Sequence, residues 1–392
     1  MKPGSLRTLV ARITLLSLNL LLASCGGGSS SSLGGGTTPP PPPPPPSQEF
    51  IFGDGNNSVL AFSVDTQTGT PAQTSTVAGN QGGFGIAVNP AVTFLYADDV
   101  TNGGIDAFSI SSSGVLSSIS GSPFPMPTDW SPPQIDNIAI DPAGKFLYTP
   151  DAASNVIVGF TINGTTGTLG PMSGSPFPAG ASPQQVAITP SGKFLYASDG
   201  NDPQGGISAY TIDSSSGALT PIVGSPFPTA TGGGPDGLVV DSTGNFLFAA
   251  LPFLNGVAAF TIDSTTGVLT SVAGSPFLPS LGGAYPIMYS IALSPNGKFL
   301  YAQAAIDADI YGFTVDPSTG ALTSMTGSPF STIFITNMNN LVVDPSGNFL
   351  YVGEETGNSF FYLTIDPNTG ALTQTANVSF GYSRSLAVAE TP

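Results

Sequence analysis

The chain contains no histidine, one cysteine and one tryptophan among its 392 residues. Without histidine, the protein lacks the side chain best suited to moving protons near neutral pH. A single cysteine excludes an intramolecular disulfide. Charged residues make up only 8% of the sequence, and just seven residues are basic. These absences argue against a histidine-dependent enzyme, a disulfide-stabilised domain and a protein that binds nucleic acid.

The first 25 residues have the pattern of a secretion signal. A basic segment precedes an apolar run from Ile13 to Ala23, which is too short to span a bilayer comfortably. The run leads into the tetrapeptide Leu-Ala-Ser-Cys, which ends at Cys25 and resembles the lipobox of bacterial lipoproteins. We therefore predict a lipoprotein signal peptide at residues 1–24 and acylation of Cys25. An ordinary secretion signal with an incidental cysteine is the alternative.

Residues 25–48 are predicted to be a linker, because they are rich in Gly and Ser and then contain eight consecutive prolines. After Cys25, four basic residues against 24 acidic ones give a formal net charge of −20. Such a domain repels nucleic acid and anionic lipid, so we expect membrane contact only through the lipid anchor. The expected location is the periplasm or the cell surface, and the expected state is a monomer.

One tetrapeptide recurs at nearly constant intervals through the rest of the chain. Gly-Ser-Pro-Phe begins at Gly121, Gly174, Gly224, Gly274 and Gly327. An aromatic triplet of the type Phe-Leu-Tyr recurs seven times, beginning at Phe50, Phe94, Phe146, Phe194, Phe246, Phe299 and Phe349. A period of about fifty residues in this composition indicates an architecture built from repeated units.

Each repeat reads as four antiparallel strands. An apolar strand precedes a turn such as Asp141-Pro-Ala-Gly-Lys145, in which Pro presets the first turn position and Gly takes the left-handed one. The aromatic triplet begins the second strand, and a second turn ending in Thr-Gly or Ser-Gly separates strands three and four. We expect Gly-Ser-Pro-Phe to end strand four, because proline cannot donate to the ladder. Its Phe is expected to pack between neighbouring units.

Seven four-stranded units predict an all-β fold, a seven-bladed β-propeller occupying residues 49–392. The domain opens at Phe50 with a second strand, while Ser385–Glu390 reads as a lone first strand. The C-terminal strand is therefore predicted to complete blade one and close the ring, which removes exposed sheet edges.

This pattern resembles the seven-bladed lactonase family, which includes propeller-type 6-phosphogluconolactonases and carboxymuconate-cyclising enzymes. The stretches Val186–Tyr196 and Ile365–Thr373 carry the resemblance, and the pattern is also similar to that of YVTN-type surface propellers, which bind partners or serve structural roles. The lactonase resemblance implies that Glu354 and Arg384 match the family's polar pair at the channel. It also implies that Gln184 and Asp236 stand where the family carries histidine.

The loops between strands two and three, and between one blade and the next, are expected to share one face around the channel. If the protein is a lactone hydrolase, Glu354 and Arg384 are the catalytic candidates. If calcium binds, the carboxylate candidates are Asp98, Asp151, Asp199 and Asp307; turn capping by these side chains is the alternative. If the face recognises a glycan, a peptide or a small molecule, the candidates are Trp130, Gln184, Asp236, Tyr285, Tyr382, Arg384, Asp98, Asp151, Asp199 and Glu354.

The sequence favours a lipid-anchored, extracytoplasmic binding or scaffold module with lactonase-like architecture and no inherited catalysis, and no cofactor is expected unless calcium binds. A divergent lactonase that uses acidic residues is the alternative. A purely structural surface protein is a third hypothesis.

Overall fold

The computed structural model describes residues 47–81, 83–99, 102–127, 137–200, 205–230, 232–279, 287–304, 309–331, 338–354, 359–379 and 385–392. Within these ranges the chain forms β-strands, turns and bends, and no helix there could cross a membrane. The strands in these ranges are numbered in chain order.

The first sixteen strands are β1 (Glu49–Val64), β2 (Pro71–Gln81), β3 (Ile86–Val88), β4 (Phe94–Asp99), β5 (Gly104–Ile110), β6 (Leu116–Ser118), β7 (Phe124–Pro125), β8 (Ala139–Ile140), β9 (Phe146–Asp151), β10 (Val156–Ile162), β11 (Leu169–Pro171), β12 (Phe177–Pro178), β13 (Pro183–Ile188), β14 (Phe194–Asp199), β15 (Gly206–Ile212) and β16 (Leu219–Pro221). The others are β17 (Phe227–Pro228), β18 (Leu238–Val240), β19 (Phe246–Leu251), β20 (Gly256–Ile262), β21 (Leu269–Ser271), β22 (Met288–Leu293), β23 (Phe299–Ala304), β24 (Asp309–Val315), β25 (Leu322–Ser324), β26 (Phe330–Ser331), β27 (Met338–Val343), β28 (Phe349–Glu354), β29 (Ser359–Ile365), β30 (Leu372–Ser379) and β31 (Ser385–Glu390).

These strands form seven antiparallel sheets, the blades, which we number in chain order. Blade one contains β31, β1 and β2; blades two to seven are built on β3–β6, β8–β11, β13–β16, β18–β21, β22–β25 and β27–β30. The long β1 supplies two strands of blade one, since residues 49–54 pair with β31 and residues 56–64 pair with β2. The predicted seven-bladed propeller of four-stranded blades is confirmed.

The first strand of every blade lies on the inside of the ring. Each first strand contacts the first strands of both neighbouring blades, in the circular order β31, β3, β8, β13, β18, β22, β27 and back to β31. These strands therefore line the central channel. The closure prediction is confirmed as well, because β31 pairs antiparallel with β1 in a register that places Phe50 opposite Ala389.

The Gly-Ser-Pro-Phe segments interrupt the fourth strand, so the prediction that they end it is wrong. In blade four, β16 pairs with the C-terminal half of β15. A turn follows, and Phe227 then pairs with Ile207, in the N-terminal half of β15. Three other blades repeat this with β7, β12 and β26, and blade five keeps a single bridge between Val257 and Phe277. Proline removes one donor at the turn, and the chain resumes pairing one residue later.

The serine of this segment explains how pairing resumes. In blade four the Ser225 N–H donates to the Ile222 carbonyl at 3.0 Å, which closes the turn around Gly224, whose φ is +93°. The backbone N–H of Ala209 on β15 donates to Ser225 Oγ at 2.8 Å. The serine thus accepts from a strand-three amide at the point where strand four turns away. The same bond is made by Ser122, Ser175, Ser275 and Ser328.

The core consists of layers between adjacent blades. The main contact in each layer is made by the second strand of one blade with a hairpin of the next blade. Phe194 on β14 packs against Gly267 in the strand-three-to-four hairpin of blade five, where an added Cβ would lie 2.6 Å from the ring. Gly267 also has a φ of +72°, which a residue with a Cβ rarely adopts. The equivalent pairs at the other six interfaces are Gly69–Phe349, Gly114–Phe50, Gly167–Phe94, Gly217–Phe146, Gly320–Phe246 and Gly370–Phe299.

The tyrosine two residues later adds a hydrogen bond at the same contact. Buried Tyr196 donates its hydroxyl to the Gly267 carbonyl at 2.9 Å, and burial raises the pKa of this phenol. Four other interfaces have the same bond, from Tyr96, Tyr148, Tyr301 and Tyr351. Phe52 and Phe248 replace the tyrosine in blades one and five, so those two interfaces rely on packing at this point.

We predict that Tyr196→Phe lowers the free energy of unfolding by about 1–3 kcal/mol, because it leaves the buried Gly267 carbonyl without this donor. Denaturant unfolding measures the effect. Tyr289→Phe is the matched control, since Tyr289 is 40% exposed and water replaces the lost contact. Equal stability of the two variants would contradict the role assigned to the interblade bond.

Candidate functional site at the channel mouth

One end of the channel, the mouth, is surrounded by the loops that join strands two and three and the loops that join one blade to the next. The opposite end, the turn face, carries the tight turns between strands one and two and the hairpins between strands three and four. Lys145, Lys193 and Lys298 all lie in those tight turns. They are the basic residues within the described ranges, and the turn face holds all of them, as predicted.

The first strands end in half-buried aliphatic residues that pack against the core between blades: Val88, Ile140, Ile188, Val240 and Val343. At four of the seven blade junctions, among the described residues, a polar side chain near the start of one first strand accepts a hydrogen bond from the main chain of the next first strand. Asn137 accepts from the Val186 N–H at 3.2 Å, Gln185 from Leu238 at 3.3 Å, Ser290 from Leu341 at 3.3 Å and Asn340 from Leu386 at 3.4 Å. These polar side chains hold neighbouring blades together.

The predicted carboxylates lie where second strands end at the mouth, and they are buried. Asp98, Asp151 and Asp199 are each at most 1% exposed. The Asp98 carboxylate accepts from the Gly85 N–H at 2.9 Å, and Asp151 accepts from the N–H groups of Ala153 and Ser154 at 3.1 Å. These bonds fix the mouth loops, in agreement with the turn-capping alternative.

Asp199 shows how closely a loop backbone approaches such a carboxylate. Ser208 donates its hydroxyl to Asp199 Oδ2 at 2.9 Å and accepts from the Gly180 N–H at 3.1 Å. A Cβ added at Gly180 would lie 2.2 Å from the Asp199 carboxyl carbon. Gly83 approaches Asp98 in the same way, with 2.0 Å between an added Cβ and the carboxylate oxygen. Only glycine fits between these loops and the carboxylates.

Within the described ranges, no three or more Asp, Glu, Cys or His side chains are grouped so that they could hold a metal ion. Asp98, Asp151 and Asp199 lie in three different blades, and Asp307 lies outside the described residues. Calcium binding by this set therefore stays a prediction without geometric support from its three described members.

Asp236 lies in the interblade loop before β18, as predicted, whereas Gln184 is the second residue of strand β13 and not a loop residue, because the first strand of blade four begins already at Pro183. Gln184 donates its amide N–H groups to the Ser182 carbonyl at 2.9 Å and to the Ser182 hydroxyl at 2.8 Å. Its Cγ would lie 2.6 Å from a Cβ added at Gly200, the residue after Asp199. Asp236 is half-buried, and its backbone N–H donates to the Ala250 carbonyl at 3.0 Å. Both residues therefore lie at the mouth, beside blades four and five.

Phe253 is a mouth residue that the sequence analysis missed. It lies in the loop after β19 and is 68% exposed. Gly234, in the preceding interblade loop, fits between its ring and the Gly200 carbonyl, since an added Cβ would lie 2.9 Å from the ring and 2.7 Å from that oxygen. The sequence did contain a sign that this loop differs: Leu251 ends the second strand of blade five at the position where Asp199 ends that of blade four. Blade five therefore presents an apolar loop beside an acidic one.

Several predicted residues cannot be placed. Trp130, Tyr285, Tyr382, Arg384, Asp307 and Cys25 lie outside the described residues. Glu354 is the last residue of β28 and its backbone pairs with Met338, while its side chain is not among those described. The catalytic pair implied by the resemblance is therefore untested.

Two of the three comparisons with known proteins find relatives of this architecture. The family model "Lactonase, 7-bladed beta-propeller" matches residues 50–181, 172–281 and 225–385, whereas curated proteins give no match. A solved structure of a proposed 6-phosphogluconolactonase from Bacteroides fragilis is 22% identical, with a TM-score of 0.72, over 87% of this chain and 98% of the other. The periplasmic gluconolactonase of Pseudomonas aeruginosa is 18% identical, with a TM-score of 0.70, over 88% and 100%. At these identities the likeness shows a shared fold.

We predict that Gly180→Ala destabilises the protein by about 1–3 kcal/mol, because the new methyl group overlaps the buried Asp199 carboxylate. The double variant Gly180→Ala with Asp199→Ser should recover part of the loss, and a double-mutant cycle by denaturant unfolding measures the coupling. Gly164→Ala is the control, since nothing lies within 4 Å of its added Cβ. Additive effects of the two mouth substitutions would show that the loop and the carboxylate are not in contact.

Proposed function

Because the chain belongs to the seven-bladed β-propeller lactonase family, we propose that it retains the family architecture and uses the channel mouth to bind a ligand without hydrolysing it. The observation that supports this proposal is an exposed aromatic ring, Phe253, together with buried carboxylates that already accept hydrogen bonds from other residues of the protein. A chain without histidine also lacks the usual proton-transfer group near neutral pH.

The chemistry of the described mouth favours an uncharged, hydroxyl-rich ligand such as a glycan. Phe253 offers an apolar ring face on which a sugar ring can stack. Gln184, at the start of β13, and Asp236, in the loop before β18, add polar groups in the same region. The described basic residues are all on the turn face, so the described mouth offers nothing to neutralise a phosphate or another anion. A phosphorylated sugar is therefore a poor fit.

Lactone hydrolysis is the alternative, and it is favoured by what the solved relatives are said to be: a proposed 6-phosphogluconolactonase and a gluconolactonase. In that case Glu354 would act as the acid–base group and Arg384 would stabilise developing negative charge. A carboxylate can do this near neutral pH only with a raised pKa. Turnover of neutral or acidic sugar lactones that disappears in both Glu354→Gln and Arg384→Ala would establish this alternative.

We predict that Phe253→Ala weakens binding of a neutral glycan found by array screening about tenfold, since it removes the exposed ring of the site. Titration calorimetry with the purified domain measures the affinity. Val223→Ala is the matched control, because Val223 is 92% exposed but lies on the strand-four turn of blade four, outside the mouth. Unchanged affinity in Phe253→Ala, or binding only to peptides, would refute the glycan proposal.

We also propose that the protein is an extracytoplasmic lipoprotein, anchored through Cys25. Strand β1 of the propeller begins at Glu49, at the turn face. Two acyl chains provide stable attachment where one is marginal. The domain itself is expected to be a monomer.

The expected outcome is that Cys25→Ser abolishes incorporation of labelled fatty acid and releases the protein from the membrane fraction. Metabolic labelling followed by fractionation tests this, with Gly26→Ala as a control that leaves the cysteine intact. Labelling that persists in Cys25→Ser would exclude acylation at this residue.

A further inference from the structure

The closing seam, defined as the pairing of residues 49–54 with β31, is the place where the ring is held without a covalent connection between strands one and two. The other six blades join these strands through a tight turn. In the seam, Glu49 pairs with Glu390 at the end of the ladder. Beyond them, Thr391 N–H donates to the Gln48 carbonyl at 2.8 Å, and Gln48 N–H donates to the Thr391 hydroxyl at 2.8 Å.

Glu49 is an unusual residue for this position. It is only 3% exposed, and its Oε1 has no hydrogen-bond partner among the described residues. The residue before the aromatic triplet in the other blades is never acidic: it is Thr93, Lys145, Lys193, Asn245, Lys298 or Asn348. A buried carboxylate with one oxygen left without a partner is costly in its charged form.

Among the described residues, the charged groups around Glu49 are all acidic, and the Tyr351 phenol on β28 also interacts with it electrostatically. Glu390 faces it from β31, and Asp344 faces it from the strand-one-to-two turn of blade seven. Asp65, in the hairpin after β1, lines the same cavity of about 520 Å³ as Glu49. The described lysines lie in blades three, four and six. No described cation therefore offsets an ionised Glu49.

Burial, followed by the negative charges of Asp344 and Glu390, raises the pKa of Glu49 from 4.5 to about 7. A carboxyl group with a raised pKa binds its proton more tightly in the folded state than in the unfolded one. Its stabilising effect is therefore complete below the unfolded pKa and is lost as the pH rises through the folded pKa. The stabilising effect of protonated Glu49 is therefore lost over the pH range from about 4.5 to about 7.

We propose that the closing seam is a proton-controlled latch: the neutral Glu49 carboxyl keeps blade one closed, and ionised Glu49, repelled by Glu390 and Asp344, loosens β31. The switch acts on the ring closure and not on the mouth, so it is independent of the ligand proposal. A loosened β31 also weakens the bond from the Leu386 N–H to Asn340, which joins blades one and seven at the channel.

Hydrogen exchange of the full chain tests the latch. After correction for the intrinsic pH dependence, we expect the opening equilibrium of the Ser385–Glu390 amides to rise about tenfold or more between about pH 5 and about pH 8. Amides of β14, in blade four, should not follow this change. In Glu49→Gln the rise should disappear, and the seam should be as protected at the higher pH as at the lower one.

Two further variants separate the latch from a general loss of stability. Glu390→Gln and Asp344→Asn each remove one repelling charge and so lower the pKa of Glu49 in the closed seam; in both variants the rise in opening should be smaller and should level off at a lower pH. Asp263→Asn is the matched control, because this exposed hairpin carboxylate has a lowered pKa through hydrogen bonds from the Thr266 and Thr265 N–H groups and titrates below the window. A pH dependence that survives in Glu49→Gln, or that affects β14 equally, would overturn the proposal.

Discussion

Every blade interface depends on one contact, in which the phenylalanine that opens a second strand packs on the hairpin glycine of the next blade. The contact tolerates no Cβ, and the glycine also has a positive φ, so ring and hairpin fix one another's position. Because the same contact recurs seven times, it sets a common height for all second strands. The ends of those strands therefore lie on the same side of the ring, where the loops of the mouth begin.

The repeat made the fold predictable. Strand order, both turns, the seven blades and the C-terminal closure all follow from the spacing of the aromatic triplets and from the lone strand at Ser385–Glu390. The role of Gly-Ser-Pro-Phe was misjudged because proline was treated as the end of pairing. Whether pairing resumes depends on a side-chain acceptor for the strand-three amide, such as Ser225 for Ala209. That partnership joins residues sixteen positions apart and leaves no local signal.

The mouth was less predictable than the fold, and the reason is physical. Loop carboxylates such as Asp98 and Asp199 look the same in a sequence whether they bind a ligand or hold a backbone. The structure assigns their described bonds to the second role. The glycines that allow this, Gly83 and Gly180, carry no motif of their own. Phe253 was missed for the opposite reason, since aromatics in this chain are mostly core residues whereas Phe253 is exposed in the loop between strands two and three of blade five.

Blades one and seven, which meet where the ring closes, differ from the other five blades. Neither carries the Gly-Ser-Pro-Phe segment, and their fourth strands, β2 and β30, are correspondingly long. Their interface is instead rich in rings: Phe62 of blade one packs edge-on against Phe360 of blade seven, with ring centroids 5.2 Å apart. Tyr351 completes it with a bond to the Gly69 carbonyl at 2.9 Å. With this apolar interface holding the two blades together, the seam ladder beside it can contain an acidic residue such as Glu49 without loss of the fold.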